Sequence, residues 1–303
     1  MLDHEGVPVD ILAHYHMFDY RARCAVAVTT EIVRELQKRH QLDPVTTIAV
    51  GRAVSCAALL ASVLKSGQEY VHMRFAGEGG LLEKVIAECN GDGHCRGYAV
   101  PPRLLEVMSP GDEAPGSVGE ALGGRGLLTV TRGLPVELGG PYNAVSALEN
   151  GEIATDIARY LTDSEQIPSA VAAGVKLAPD GSVLAAGGVL VQKLGGAVLE
   201  EAELTAIEER MRQQLSISDR IAAGQSSDEI VAFLQGDIGQ FGLLMTRPLT
   251  FKCTCTHDKM MRALVALGED ELNSILKETG KLAVRCQYCA EEREFRLAEL
   301  IKH

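Results

Sequence analysis

The sequence predicts an α+β protein in three parts: an N-terminal domain of mixed helices and strands over residues 1–199, an amphipathic helical linker over 200–250, and a small C-terminal module over 251–303. Three observations carry this. Up to Leu199, β-rich alternating stretches interleave with a few helical ones, without the regular strand–helix alternation of a parallel sheet. From Glu200 the chain turns to charged segments with one apolar face. After Phe251, four cysteines stand in two close pairs with thirty residues between them.

Composition narrows the function classes. The 303 residues are 46% hydrophobic, ordinary for a globular chain, and carry a net charge of -12 with a pI near 5.2. Phosphate binding draws on clustered Lys and Arg, so this balance disfavours a nucleic-acid partner. The first eighteen residues lack the basic start and apolar run of a secretory leader, and the apolar run Ala53–Leu64, with Ser55 and Ser62 inside it, is too short to span a bilayer. A soluble, reducing, cytoplasmic setting is expected, with no membrane partner.

In chain order, 21–30 alternates as a strand and 31–40 places Ile32, Val33 and Leu36 at helical spacing. Residues 46–66 read as a long helix apolar on most sides, hence central to the domain. Cys24 and Cys56 fall inside these elements and are expected to be buried, inert thiols. Residues 69–77 read as a strand. Residues 84–89 and 94–100 read as two more, joined by an Asn-Gly-Asp-Gly turn into a hairpin. Cys89, His94 and Cys95 flank that turn. Three donors on two adjacent strands do not surround an ion, so a second metal site is not expected there, while a side disulfide under oxidation stays open.

Ser109–Gly126 holds six glycines and two prolines in eighteen residues and reads as a mobile loop. No phosphate-cradling glycine motif occurs in the chain, so no nucleotide is expected. Residues 127–132 resume strand, Asn150-Gly151 marks a turn, and Ile153–Leu161 is a short helix. Residues 169–178 and 182–194 flank Pro179-Asp180-Gly181, a strong hairpin signal. The scattered His4, His14, His16, His40 and His72 form no catalytic spacing.

In the linker, Leu204, Ile207, Met211 and Leu215 share one helical face, and Ser226 with Glu229 forms a capping box opening a second helix. Helices of this length are marginal alone, so their apolar faces need a surface to lie on.

Cys253 with Cys255 forms C-x-C and Cys286 with Cys289 forms C-x-x-C. Two short chelating loops closed by an intervening fold are how a tetrahedral four-thiolate zinc site is built, so one Zn2+ per chain is the leading reading. A redox C-x-x-C should open a helix after a buried strand, whereas this one sits between 281–284 and 291–295 as the turn of a hairpin. His257 is a spare donor beside four thiolates and reads as a solvated loop residue. The apolar set of the module (Met260, Leu264, Leu267, Leu272, Ile275, Leu276, Val284, Phe295, Leu297, Leu300) is modest. About fifty residues is near the lower limit for a self-sufficient core. Structural zinc contributes about 10–16 kcal/mol in small finger peptides, against about 5–15 kcal/mol for a whole domain, so losing the metal should unfold the module. Each thiolate has another two or three positions away that can resolve a sulfenic acid, a vulnerability that any structural zinc ribbon shares.

Two other classes stay open on the residues alone. A zinc ribbon could bind nucleic acid through Phe251, Tyr288 and Phe295, although 251–303 balances nine Lys and Arg against nine Asp and Glu. A thiol oxidoreductase could use one cysteine pair.

C-x-C followed at this distance by C-x-x-C, with 267–276 between the pairs and 294–300 after them, resembles the zinc-binding end of the thirty-three-kilodalton chaperonin family of redox-regulated heat-shock holdases. Pro141–Val175 resembles that family's most recognisable stretch, with Ser164, Glu165, Gln166 and Pro168 in its SEQ-x-P pattern; 50–66 and 95–100 also match, so the resemblance covers nearly the whole chain. It implies a non-enzymatic, ATP-independent chaperone that binds unfolding client proteins. Its parts would be a substrate-binding and dimerisation domain, a metastable linker and a redox-switch domain. In the reduced state Cys253, Cys255, Cys286 and Cys289 would hold zinc. Under oxidative and heat stress the resemblance implies disulfides between Cys253 and Cys255 and between Cys286 and Cys289, zinc release, linker unfolding and a homodimer of the oxidised chain.

Overall fold

Alternating apolar residues on either side of a tight turn make the first two strands of the computed structural model, β1 (Ile11–Met17) and β2 (Ala22–Val28), paired antiparallel with Tyr15 opposite Cys24. The structure describes residues 10–134, 136–195, 205–207, 209–211, 216–237 and 239–300. Helix α1 (Thr30–His40) turns its apolar face inward, burying Ile32, Val33 and Leu36. Helix α2 (Pro44–Leu60) opens where Pro44 presets the helical φ and the Asp43 carboxylate accepts the Thr46 amide at 2.9 Å. The hairpin of β3 (Tyr70–Gly77), β4 (Lys84–Asn90) and β5 (His94–Val100) follows. Then come α3 (Val118–Leu122), β6 (Gly126–Gly133), β7 (Tyr142–Ala147) and α4 (Ala154–Asp163). The long hairpin β8 (Ser169–Leu177) and β9 (Val183–Lys193) precedes α5 (Ile217–Ala222), α6 (Ser227–Gln235), β10 (Gly242–Pro248) and β11 (Thr250–Phe251).

These strands form two sheets, ordered β10-β1-β2-β9-β8 and β11-β5-β4-β3-β6-β7, the short β11 being parallel to β5. Helix α2 packs on both, its Ala53, Val54, Ala57 and Leu60 sharing one core with Leu12, Ala27 and Leu190 of the first sheet and Met73, Phe75 and Val85 of the second. A helix buried on nearly every side needs apolar residues all round, as its sequence has. With the turn Ala61–Val63 it is long and apolar enough to cross a membrane, longer than the run read from the sequence, but 83% of that window is buried inside the protein.

The opposite face of the first sheet carries Ala13, Tyr15, Met17, Cys24, Val26, Val189 and Val191, and Ile207, Met211, Ile217, Ile230, Val231 and Leu234 lie on it. The expected apolar face of the linker is thus covered by its own domain at Ile207 and Met211; Leu204 and Leu215 lie outside the described residues. The capping box is present, Ser226 Oγ accepting the Glu229 amide at 3.3 Å and the Glu229 carboxylate accepting the Ser226 amide at 2.7 Å.

Three local expectations change. Within 200–250, read as helical, β10 and β11 are strands: Leu12 of β1 stands opposite Arg247 and His94 of β5 opposite Thr250. Partners that distant leave no periodicity in the segment itself. The chain accordingly divides between Phe251 and Lys252. The glycine-rich Ser109–Gly126 is not wholly loop, because Ser117 caps α3, Gly123 ends it at φ +85°, and Val118, Ala121 and Leu122 enter the core. Strands β1 and β7 were not read from the sequence.

Asp10, just before β1, caps α1 from outside: its carboxylate accepts the Glu31 and Ile32 amides at 3.1 and 2.8 Å. Burial nevertheless outweighs these bonds and pushes its carboxyl up to about 7. Between about pH 4 and pH 7 the folded chain therefore holds a proton that the unfolded chain has released. Stability is expected to fall as pH rises through that window, by an amount on the order of a few kcal/mol, and to level off above it. Urea midpoints at pH 5 and pH 8 should converge in Asp10→Asn, whose amide oxygen still accepts but carries no proton to lose. An unchanged slope in that variant would contradict the assignment.

The second unit, Lys252–His303, holds α7 (His257–Val265), α8 (Glu269–Thr279), the antiparallel pair β12 (Leu282–Arg285) and β13 (Glu292–Phe295), and α9 (Leu297–Leu300). Its buried apolar core is small: Met260, Leu264, Leu272, Leu282, Phe295 and Leu300. Leu282 was absent from the apolar set read from the sequence, and Leu267, which was in it, is 50% exposed.

Candidate metal centre

Two short turns bring the cysteines together. Cys253 and Cys255 lie in the irregular stretch between β11 and α7, where the Cys255 amide donates to Cys253 Sγ at 3.5 Å and Thr256 Oγ1 caps α7 by accepting the Lys259 amide at 3.2 Å. Cys286 and Cys289 lie in the turn from β12 to β13. That turn is closed by the Ala290 amide on Cys286 O at 2.8 Å and the Cys286 amide on Glu291 O at 2.9 Å, with Ala290 at φ +58°.

Cys253 Sγ is 3.7 Å from Cys286 Sγ and Cys255 Sγ is 3.5 Å from Cys289 Sγ, and all four sulfurs lie within 4.8 Å of one another. Four thiolates at about 2.3 Å from a tetrahedral ion stand about 3.8 Å apart, so the constellation fits zinc. Among the described residues, this is the group of His, Cys, Asp and Glu donors close enough to share one ion.

The electrostatics agree with that fit. Burial pushes the Cys255 thiol up to about 11 and the Cys289 thiol higher still. At Cys286 the same burial is outweighed by amide hydrogen bonds from Cys289 and Tyr288, and its thiol is held below the ordinary value. Sulfurs this close cannot all ionise unaided, because each thiolate disfavours the next. A divalent cation among them reverses that and keeps all four deprotonated. The amide donors were not legible in the sequence, because backbone N–H groups carry no residue signature.

His257 is not a loop residue: it opens α7, and its ring packs on Phe295 with centroids 4.8 Å apart. Cys24 and Cys56 are wholly buried, and burial pushes the Cys56 thiol up to about 12 and the Cys24 thiol further. Cys89 and Cys95 are wholly buried as well, while His94, adjacent to Cys95 on the same strand, is partly exposed beside Asp92. Successive strand residues point to opposite faces, which is why the three donors do not converge.

The SEQ-x-P stretch is organised by one ion pair. Glu165 Oε1 accepts from Arg132 Nη2 and from the Tyr160 hydroxyl, both at 2.6 Å, in a spot where the two charged side chains are 18% and 13% exposed. Gln166 follows at φ +58°.

A family profile described as Hsp33 protein matches residues 10–296. The 33 kDa chaperonin of Symbiobacterium thermophilum is 36% identical over 280 residues, 92% of each chain. That of Geobacter sulfurreducens is 35% identical over 296 residues, covering 98% of this chain and 95% of the relative. The crystal structure of the 33 kDa chaperonin from Thermotoga maritima superposes with a TM-score of 0.83 at 31% identity, covering 97% of this chain and 98% of that one. With its fold, its clustered cysteines and these relatives agreeing along nearly its whole length, the chain belongs to the Hsp33 family of chaperones, holdases that bind unfolded proteins and are not enzymes.

Proposed function

We propose that this chaperone is held inactive by zinc bound to Cys253, Cys255, Cys286 and Cys289 and is activated when those thiolates are oxidised. One observation carries the reading. Four sulfurs lie within 4.8 Å of one another in a unit whose buried apolar core, among the described residues, is six side chains, so the cohesion of that unit depends on what the sulfurs hold. Zinc, when bound, supplies a cross-link between the two cysteine turns and keeps the thiolates ionised.

Oxidation by peroxide removes the donors. Two peroxide molecules accept four electrons from four thiolates, two S–S bonds form, and with the protons taken up the oxygens leave as water. Disulfides no longer offer the lone pairs that held the ion. Cys253 with Cys255 and Cys286 with Cys289 are the pairings we expect, since bonds within each turn release the two turns from one another. The unit then loses its fold, the helices that precede it loosen, and the sheet face bearing Ala13, Tyr15, Met17, Val189 and Val191 is uncovered for unfolding clients and for a second oxidised copy. No nucleotide enters this cycle, and a reducing cytoplasm resets it.

Metal analysis of the reduced protein should give one zinc per chain, and peroxide with mild heat should release it. Light scattering of a thermally unfolding client should be suppressed by the oxidised protein and much less by the reduced one. Suppression by the reduced form alone would overturn the proposal. So would disulfide mapping that found Cys253–Cys286 and Cys255–Cys289 in the active protein, since bonds between the turns would staple the unit shut.

A further inference from the structure

Cys89 and Cys95 stand directly opposite each other across the β4–β5 hairpin. Opposed residues in an antiparallel ladder have Cα atoms about 4.5–5.5 Å apart, inside the span of about 4.4–6.8 Å that a disulfide bridges. Both side chains are wholly buried, the Cys89 thiol donating to Asn90 O at 3.5 Å and the Cys95 thiol to Gly93 O at 3.7 Å. The register thus brings the two cysteines within reach of a disulfide; what is missing is an oxidant.

The pair sits beside the hairpin's turn. Gly93 closes that turn at φ +83°, and the Asn90 side chain accepts the Asp92 and His94 amides at 3.1 and 2.9 Å. Both thiols belong to the main core, so an oxidant reaches them only when this end of the hairpin opens. On the other side of β5, Phe251 of β11 is in register with Cys95, so this strand also holds the last residues of the first unit.

We propose that Cys89 and Cys95 form a second redox-modification site, at which a peroxide closes a cross-strand disulfide once heat has opened the end of the β4–β5 hairpin. The first sulfur takes one peroxide oxygen as a sulfenic acid, and the other oxygen leaves as water. The second thiol then displaces the sulfenic oxygen, which leaves as a second water with the two remaining hydrogens; two electrons pass to the O–O bond and one S–S bond forms. In the closed fold, the adjacent Cys89 thiol together with burial holds the Cys95 thiol protonated, and burial keeps peroxide out. The pair therefore ignores oxidant alone and records oxidant together with unfolding. It is chemically independent of the four C-terminal thiols, and closing it ties β5 to β4 while the fold around them is under stress.

Cleavage after Lys84 and Arg96 releases Val85–Arg96, which contains Cys89 and Cys95 and no other cysteine. The reduced full-length protein is treated with hydrogen peroxide well below its thermal transition and within it, then denatured, alkylated, digested and weighed. Below the transition this peptide should carry two alkyl groups. Within it, the peptide should escape alkylation and be lighter than its dithiol form by two hydrogens, and reduction before alkylation should restore both labels. Two alkylated thiols after peroxide and heat would overturn the proposal, as would a bond from either cysteine to Cys24, Cys56 or the C-terminal peptides. Closure as fast in the cold as in the transition would overturn the thermal gate. Because the peptide excludes Cys253, Cys255, Cys286 and Cys289, none of these outcomes depends on whether that centre holds zinc.

Discussion

Replacing Cys286 with serine is expected to leave the protein without its metal and residues 252–303 without their fold. A serine hydroxyl stays protonated near neutral pH, so one of four anionic donors disappears and the two amide bonds that favour the Cys286 thiolate are left without it. Structural zinc sites contribute about 10–16 kcal/mol, more than a core of Met260, Leu264, Leu272, Leu282, Phe295 and Leu300 can replace in so short a unit. Metal content should fall to a small fraction of one per chain. Amide exchange should become fast from Lys252 onward, while protection survives in α2 and the strands around it. Residues 252–303 that stay protected in a metal-free Cys286→Ser protein would show that side-chain packing, not the ion, holds them. The same variant should suppress client aggregation without oxidant if unfolding of the unit is what activates the chaperone.

Glu165→Ala should be the most damaging single change at the SEQ-x-P stretch. Arg132 has little access to water, and Glu165 is the acceptor that both Arg132 and Tyr160 address at 2.6 Å. Removing one partner of such a part-buried pair leaves the other charge without its acceptor, at roughly 1–3 kcal/mol. Urea unfolding of the first unit, followed by circular dichroism at constant pH, checks this. Glu165→Gln, which keeps an oxygen in place, should recover part of the loss. A change in Glu165→Ala no larger than about 0.5 kcal/mol, the usual size for an exposed site, would mean that the pair is dispensable.

The two expected results separate the units. Glu165→Ala acts before Phe251 and should leave protection after Lys252 unchanged, whereas Cys286→Ser acts after Lys252 and, in the first unit, should loosen only α5 and α6 while α2 and its strands stay protected.

Wherever a property was local, the order of residues alone determined it. The long helix 44–60 is apolar all round, the hairpins at Gly91–Gly93 and at Asp180-Gly181 announce themselves by turn chemistry over alternating strands, and Ser226 with Glu229 marks a helix start. The cluster of four cysteines belongs here too, because two chelating turns are written as two short spacings. Tertiary structure decided the rest. Asp10 caps a helix twenty residues away, Glu165 meets Arg132, β10 lies against β1, and Cys89 faces Cys95 across a ladder whose register makes them partners. Each of these joins groups whose individual segments would look the same without the partner. Short-range periodicity reports which face of an element is apolar, but only the closed chain chooses what that face, or that charge, is set against.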